Sequence, residues 1–277
     1  MRNSLLLLLT SFLILVPSSL RASAEEKPQE KPTEAESGKE AEKKAPEGPK
    51  KLTEADYGKW ERLGQWGLSP DGTWLAYQVR RVDGENKLHL RAVKGDDKHE
   101  WKYATGQTFS NDNRWMAFRI GVSPKVKERM TKSRKPVRNK LGLHDLKSGK
   151  TEEFDDVAAV RLSEGGQFLL MRRYKPDGQK HQGVTAIVRD LKTGKDTPFG
   201  NVASASWMDD GALLAMVLDA DGKVGNGVLV YDAASGRLHS LDTAKRSYSS
   251  MTWRKDAADL AILREREHAK DEDASFE

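Results

Sequence analysis

The sequence predicts an all-β fold, a β-propeller of four-stranded blades with about four and a half to five blades present. Three observations predict it: an apolar triplet that recurs along the chain, a turn-rich stretch before each triplet, and a second strand-and-turn motif between the triplets. Repeats of about 40 to 50 residues with two hairpins each are typical of propeller blades. A chain of 277 residues is long enough to form one or two domains with a buried core.

The apolar triplets predict the second strand of each blade. They begin 41, 53, 45 and 46 residues apart, at Leu75–Tyr77, Met116–Phe118, Leu169–Met171, Leu214–Met216 and Leu260–Ile262. The first triplet follows a turn in which Pro70 presets φ, Asp71 can bond the local backbone and Gly72 accepts a positive φ. Aromatic residues stand just before three triplets and are expected to pack at blade rims, carbohydrate stacking being the alternative: Trp74, Trp115 and Phe168.

The second motif is a strand that runs into an Asp-x-x-(Ser/Thr)-Gly-(Lys/Arg) turn. Its aspartates are Asp145, Asp190 and Asp232, and short strands such as Thr151–Phe154 and Leu238–Leu241 follow the turns. Each unit therefore carries four strands, and the units must stack side by side because one unit cannot bury its apolar face alone. After Ile262 the chain has room for only two strands of a fifth unit. We expect either a five-blade ring completed by an N-terminal strand or the front part of a longer protein.

Residues 1–24 have the order of a secretory signal peptide. Arg2 is the positive region, Leu5–Val16 is an apolar run too short for a bilayer, which needs about 20 residues, and Ala22–Ala24 offers a cleavage site. An uncleaved anchor is the alternative. Residues 25–51 are rich in Glu, Lys and Pro, which predicts a disordered linker, and residues 52–277 form the predicted propeller. The predicted location is secreted or periplasmic, without membrane contact after cleavage.

Charge balance makes a nucleic-acid partner unexpected, and the absence of cysteine excludes cysteine chemistry. The chain has 47 basic and 42 acidic residues, a formal net charge of +5, which gives little reason to expect a nucleic-acid partner. It has no cysteine, so disulfides, thiolate nucleophiles and Cys-bound zinc are excluded. Between Lys125 and Lys140 lie eight Lys or Arg residues and one Glu. This segment is read as a solvated loop between two strands of the second blade; contact with an anionic surface, nucleic acid or a partner domain is the alternative.

The sequence assigns no catalytic, cofactor-binding or metal-binding residue, and no cofactor is expected. The six histidines are scattered without metal-ligand spacing: His89, His99, His144, His181, His239 and His268. Three turn carboxylates, Asp71, Asp112 and Asp210, are expected to bond their local backbone. The acidic spacing of a calcium loop is absent.

Two segments resemble the start of exported bacterial serine peptidases of the prolyl oligopeptidase family (S9). They are Leu52–Gly64, which contains an Asp-Tyr-x-x-Trp-Glu motif expected to be helical, and Leu68–Tyr77, which contains Ser-Pro-Asp-Gly-x-Trp-Leu-Ala-Tyr. The stretch Leu141–Leu146 is similar to the same group. The resemblance covers residues 52 to 277 and matches only the N-terminal propeller of that family. The second motif also occurs in TolB-like propellers.

The resemblance implies a non-catalytic propeller that admits peptides to an α/β-hydrolase domain and docks to it. No Gly-x-Ser-x-Gly nucleophile elbow occurs in this sequence; the nearest approach, Gly67–Asp71, lacks the final glycine. We therefore expect the chain to be inactive alone, with peptide substrates only if it is joined to a hydrolase domain. The alternative is a stand-alone TolB-like propeller that acts as a scaffold and binds a protein partner at its face.

Overall fold

The computed structural model describes residues 51–209 and 211–266. The predicted signal peptide, the linker up to residue 50 and the end of the predicted propeller, residues 267–277, lie outside the described residues. Within them, the chain is built almost wholly from antiparallel strands that follow one another in hairpins. The predicted fold class is confirmed by these sheets.

The strands form four blades of four strands and one further hairpin. Blade 1 comprises β1 Glu61–Leu68, β2 Trp74–Arg81, β3 Lys87–Ala92 and β4 Lys98–Lys102. Blade 2 comprises β5 Ala104–Phe109, β6 Trp115–Ile120, β7 Lys140–Asp145 and β8 Thr151–Phe154. Blade 3 comprises β9 Val157–Leu162, β10 Phe168–Arg173, β11 Val184–Asp190 and the first half of β12 Asp196–Trp207. Blade 4 comprises the second half of β12, β13 Leu213–Leu218, β14 Gly227–Asp232 and β15 Arg237–Thr243, and the last hairpin comprises β16 Tyr248–Trp253 and β17 Leu260–Arg264.

Blades 3 and 4 share one strand, a feature that the sequence did not predict. Val202 of β12 pairs with β11 of blade 3 and also with β13 of blade 4, so seven strands form one continuous sheet. At each change of blade one residue has left-handed backbone geometry: Tyr103, Asp156 and Asn201, with φ of 59°, 60° and 56°. Because one such residue redirects the chain, no longer turn is needed between blades.

The core lies between the blades. Side chains of β6 alternate, so that Met116 and Phe118 pack with buried residues of blade 1, whereas Trp115 and Ala117 pack with blade 3. A third cluster joins blades 3 and 4 around Leu170. Each fully buried Leu, Met or Phe contributes about 1.5–3 kcal/mol relative to exposure. This alternation explains why neighbouring blades stabilise one another.

The turn before the second strand is held by a buried serine. The hydroxyl oxygens of Ser69, Ser110 and Ser163 accept hydrogen bonds of 3.0, 2.9 and 3.0 Å from backbone N–H groups of the residues that begin β2, β6 and β10. All three serines are buried. Met208 stands at the equivalent place in blade 4, where its own N–H donates to the carbonyl of Leu213 across a 2.9 Å hydrogen bond.

Two helical expectations are corrected by the structure. The helix expected across the Asp-Tyr-x-x-Trp-Glu motif is one turn, α1 Glu54–Tyr57, because strand pairing takes over from Glu61. The basic segment expected to be a loop contains the helix α2 Pro124–Lys132, which Ser123 caps by accepting a 3.4 Å hydrogen bond from the N–H of Val126. A short 3-10 turn spans Asp221–Lys223. Among the described residues, no helix combines the length and apolar character needed to cross a bilayer.

Candidate functional site

An open cleft of about 480 Å³ lies where the first strands of blades 2, 3 and 4 end. Its walls are the ends of β5, β9 and β12 together with the turns that follow them, Ser110–Asn111, Ser163–Glu164 and Met208–Asp209. The cleft therefore exists only because three blades stack in register. It combines apolar walls, such as Phe109 and Leu162, with polar groups at its rim.

Arg161 is the cation of this cleft. Its side chain is exposed, no ion pair to it occurs among the described residues, and its carbonyl accepts a 3.4 Å hydrogen bond from the indole of Trp207. Arg172 lies on the same face of the sheet, and its guanidinium donates to the carbonyls of Val202 and Ala203 at 3.2 and 2.7 Å. Burial, and then the charge of Arg161, lower the pKa of Arg172. Two guanidinium groups therefore lie on this face of the sheet, and that of Arg161 lines the cleft.

Two carboxylates also line the cleft, Glu164 and Asp209. Glu164 accepts a 2.7 Å hydrogen bond from the side-chain amide of Asn111, which ties the turns of blades 2 and 3 together. A cation and two carboxylates at one opening suit the binding of a polar peptide segment, since both signs of charge find a partner there.

The turn carboxylates bond their own backbone, as predicted for Asp71 and Asp112. Asp71 accepts hydrogen bonds from the hydroxyl of Ser69 at 2.6 Å and from the N–H of Thr73 at 3.0 Å, and these bonds lower its pKa. Asp112 accepts from the hydroxyl of Ser110 and from the N–H of Arg114 in the same way. The third carboxylate, Asp210, lies outside the described residues.

The described histidines do not meet in the cleft. His99 and His144 contact each other between blades 1 and 2, and His89 stacks on Tyr77 beside Glu100. His268 lies outside the described residues. Among the described residues, no three His, Asp or Glu side chains are grouped as metal ligands, and no serine hydroxyl is hydrogen-bonded to a histidine ring.

The cleft residues were not singled out by the sequence. Arg161 and Glu164 stand in the third repeat and Asp209 in the fourth, and only the stacking of the two blades brings them to one opening. One signal was available: Glu164 and Asp209 each lie five residues before an apolar triplet, and Arg161 lies eight residues before the triplet that begins at Leu169. Aligning the repeats on their triplets places Glu164 and Asp209 at equivalent positions of successive blades, with Arg161 near the end of the strand before Glu164.

The fold and the cleft define a β-propeller-type stack of blades with an open cleft at the ends of the first strands. No protein-family model matches the chain, and no curated protein matches it. Similar solved structures include the β-propeller domain of the Trilobed protease from Pyrococcus furiosus, with a TM-score of 0.44, 12% identity, and coverage of 79% of this chain and 71% of that one. Another is Pyrococcus horikoshii acylaminoacyl peptidase, with a TM-score of 0.42, 11% identity, and coverage of 80% and 38%.

TolB from Acinetobacter baumannii is also similar, with a TM-score of 0.35, 15% identity, and coverage of 74% of this chain and 52% of TolB. The chain thus spans about half the length of TolB and little more than a third of the acylaminoacyl peptidase. Identities this low bear on the fold alone, and the blade assignment follows from the chain's own sheets.

Proposed function

We propose that residues 52–277 are the non-catalytic propeller region of an exported prolyl-oligopeptidase-like serine peptidase. The region gates peptide access and docks to an α/β-hydrolase domain. Support comes from the family resemblance of Leu52–Gly64 and Leu68–Tyr77, from the blades, and from the signal-like residues 1–24, which favour a secreted or periplasmic location.

The observation that carries the proposal is the uncovered face of blade 1. Leu63, Trp66 and Leu68 of β1 are 64%, 63% and 53% exposed. They pair with Val79, Tyr77 and Leu75 of β2, so all six side chains lie on one face of the sheet.

The opposite face of blade 1 is also apolar, and it packs against blade 2. It contains Ala76, Leu88 and Leu90, which are fully buried against blade 2. An apolar sheet face of this kind is characteristic of a surface that packs against further protein. The propeller is therefore proposed to work as part of a larger assembly, and the polar cleft across blades 2 to 4 is the surface that peptides meet.

Sequencing the genomic DNA beyond codon 277 tests the proposal. A continuation, in frame or frameshifted, that encodes a Gly-x-Ser-x-Gly elbow is the expected result. An unrelated gene there would contradict it. The non-catalytic role is tested separately by assaying the purified chain with peptide substrates, and peptidase activity that a serine-directed inhibitor abolishes would overturn it.

The cleft also favours a second function, a stand-alone TolB-like scaffold that binds a protein partner. Arg161, Glu164 and Asp209 offer both signs of charge at an open surface, which suits a polar peptide segment of a partner. A stable, monodisperse monomer together with an unrelated downstream gene would favour this function. The two functions are therefore distinguished by the same sequencing experiment.

A further inference from the structure

We infer that the segment 124–139, here called the basic arm, docks the protein onto a membrane surface that contains anionic phospholipids. The arm projects between β6 and β7 of blade 2 and consists of α2 and the seven residues after it. The inference goes beyond the proposed function, does not depend on it, and departs from the expectation, drawn from the sequence, that the cleaved chain makes no membrane contact.

The arm is a defined structure that is fixed at both ends. At its start, Pro124 lies against Gly84 of blade 1, so closely that a Cβ on this glycine would come within 2.9 Å of the proline ring. At its end, Arg138 forms an ion pair of 2.9 Å with Asp156. Beyond the helix, the N–H of Lys135 donates to the carbonyl of Met130 across a 2.9 Å hydrogen bond. The backbone that carries the charges of the arm is therefore anchored to blades 1 and 2.

Most cations of the arm are exposed and have no acidic partner. Three basic residues of the segment 124–140 form ion pairs: Lys132 with Glu128 at 2.7 Å, Arg138 with Asp156, and Lys140 with Glu153 at 3.3 Å. The other five are exposed, and no ion pair to them occurs within residues 51–209 and 211–266: Lys125, Lys127, Arg129, Arg134 and Lys135. Like charges four residues apart, such as Lys125 and Arg129, destabilise a helix, so an anionic partner would stabilise this one.

The chemistry of the arm favours a phospholipid surface over other anionic partners. Val126 and Met130 are partly buried, and the exposed positions carry no aromatic side chain. Protein hot spots are enriched in Trp, Tyr and Arg that fill pockets, and single-stranded nucleic acid is bound by aromatic stacking. Attraction to a charged bilayer surface needs neither pockets nor stacked rings, since each Lys or Arg near an anionic bilayer strengthens binding about fivefold. The signal-like residues 1–24 favour a secreted or periplasmic location, where the chain would meet a phospholipid surface.

Co-sedimentation of the full chain with vesicles tests the inference. The vesicles are phosphatidylcholine alone, or phosphatidylcholine with phosphatidylglycerol, at low ionic strength. The arm variant replaces its five unpaired cations by glutamine: Lys125→Gln, Lys127→Gln, Arg129→Gln, Arg134→Gln and Lys135→Gln. The control variant removes the same charge from the turns at the opposite edge of the sheets: Lys94→Gln, Lys147→Gln, Lys150→Gln, Lys192→Gln and Lys195→Gln.

We expect the unaltered chain and the control variant to bind the anionic vesicles, and the arm variant to bind them on the order of a thousandfold more weakly. Salt should weaken the binding, because it screens exposed charges. The N-terminal segment is common to all three proteins, so its contribution cancels from the comparison. Circular dichroism and thermal unfolding confirm that each variant is folded.

Three results would overturn the inference. The first is equal binding by the arm variant and the control variant, and the second is equal binding to both kinds of vesicle. The third is tighter binding to duplex DNA or to polyglutamate than to the anionic vesicles, which would identify nucleic acid or an acidic protein as the partner.

Discussion

The imidazole rings of His99 and His144 contact each other across the boundary of blades 1 and 2, with their centroids 4.4 Å apart and their planes inclined by 59°. His144 is fully buried, and its Nδ1 lies 2.9 Å from the hydroxyl of Thr151. Burial, and then the charge of His99, lower the pKa of His144 to about 4, against a smaller opposing effect of Asp145. The charged imidazolium is therefore strongly disfavoured in the folded protein.

Acid is expected to destabilise this boundary through His144. In the unfolded chain its pKa is near 6.5, so between pH 6.5 and about 4 the unfolded state binds the extra proton and stability is lost as the pH falls. Urea unfolding should give a free energy of unfolding about 2 kcal/mol lower at pH 5 than at pH 7 from this residue. His144→Gln should remove that difference, whereas His239→Gln, at an exposed site, should keep it. Equal pH dependence in the two variants would contradict the assignment.

Gly142 provides the space for a buried aromatic ring. It pairs across the strands with Phe118, whose side chain is fully buried, and a Cβ at position 142 would overlap the Phe118 ring. Gly142→Ala should therefore lower the free energy of unfolding by about 1–3 kcal/mol, the usual cost of overpacking a core. Gly165→Ala is the control, since a Cβ there meets nothing within 4 Å and its φ is not positive. Chemical unfolding measures both, and equal stability would argue against the overlap.

The repeat of the fold was predictable because each blade repeats its own local chemistry. The triplet Met116–Phe118, for example, lies in β6 as predicted, and the turn at Asp190 ends β11. The shared strand β12 was not predictable, since a single left-handed residue, Asn201, replaces a recognisable turn. The helix α2 escaped prediction because its charge pattern equally suits a loop, and only its contact with Gly84 and the Ser123 cap select the helix.

The cleft was less predictable than the fold. The distance between Arg161 and Asp209 along the chain gives no hint that they share an opening, because that follows from the stacking of blades 3 and 4. The serine that begins this turn in blades 1 to 3 was visible in the sequence. Its burial and its hydrogen bond to the next strand depend on backbone geometry, which the sequence does not show. Strands and turns were therefore predictable because their motifs recur along the chain. The cleft was not, because contacts between different repeats form it.

The aspartate of the second motif holds its turn together by hydrogen bonds, and its removal should lower the free energy of unfolding. Asp190 accepts hydrogen bonds from the N–H groups of Lys192 at 2.8 Å and Thr193 at 3.4 Å. Asp190→Ala leaves these donors without their acceptor and should lower the free energy of unfolding by about 1 kcal/mol, whereas Asp190→Asn keeps an acceptor and most of the stability. Thermal unfolding of both variants measures the effect. Equal losses would show that the hydrogen bonds are not its source.

The last hairpin is attached to blade 4 through an indole that repeats an earlier contact. The Nε1 of Trp253 donates to the carbonyl of Ser206 at 3.0 Å, as Trp207, 46 residues earlier, donates to that of Arg161 at 3.4 Å. Trp253→Phe keeps an aromatic ring but removes the donor, which leaves a partly buried carbonyl without this bond. A net loss of about 1 kcal/mol corresponds to about fivefold faster opening of the hairpin.

Hydrogen exchange of the amides of β16 and β17 measures this opening. In Trp253→Phe we expect these amides to exchange about fivefold faster while those of blade 2 are unchanged, because opening of a terminal hairpin leaves the other blades paired. Trp66→Phe makes the same chemical change at a residue that is 63% exposed, and it should leave the exchange of the hairpin unaltered. Faster exchange throughout blades 1 to 4 in Trp253→Phe would mean that the hairpin does not open on its own, and the indole contact would then belong to the cooperative core of the whole stack.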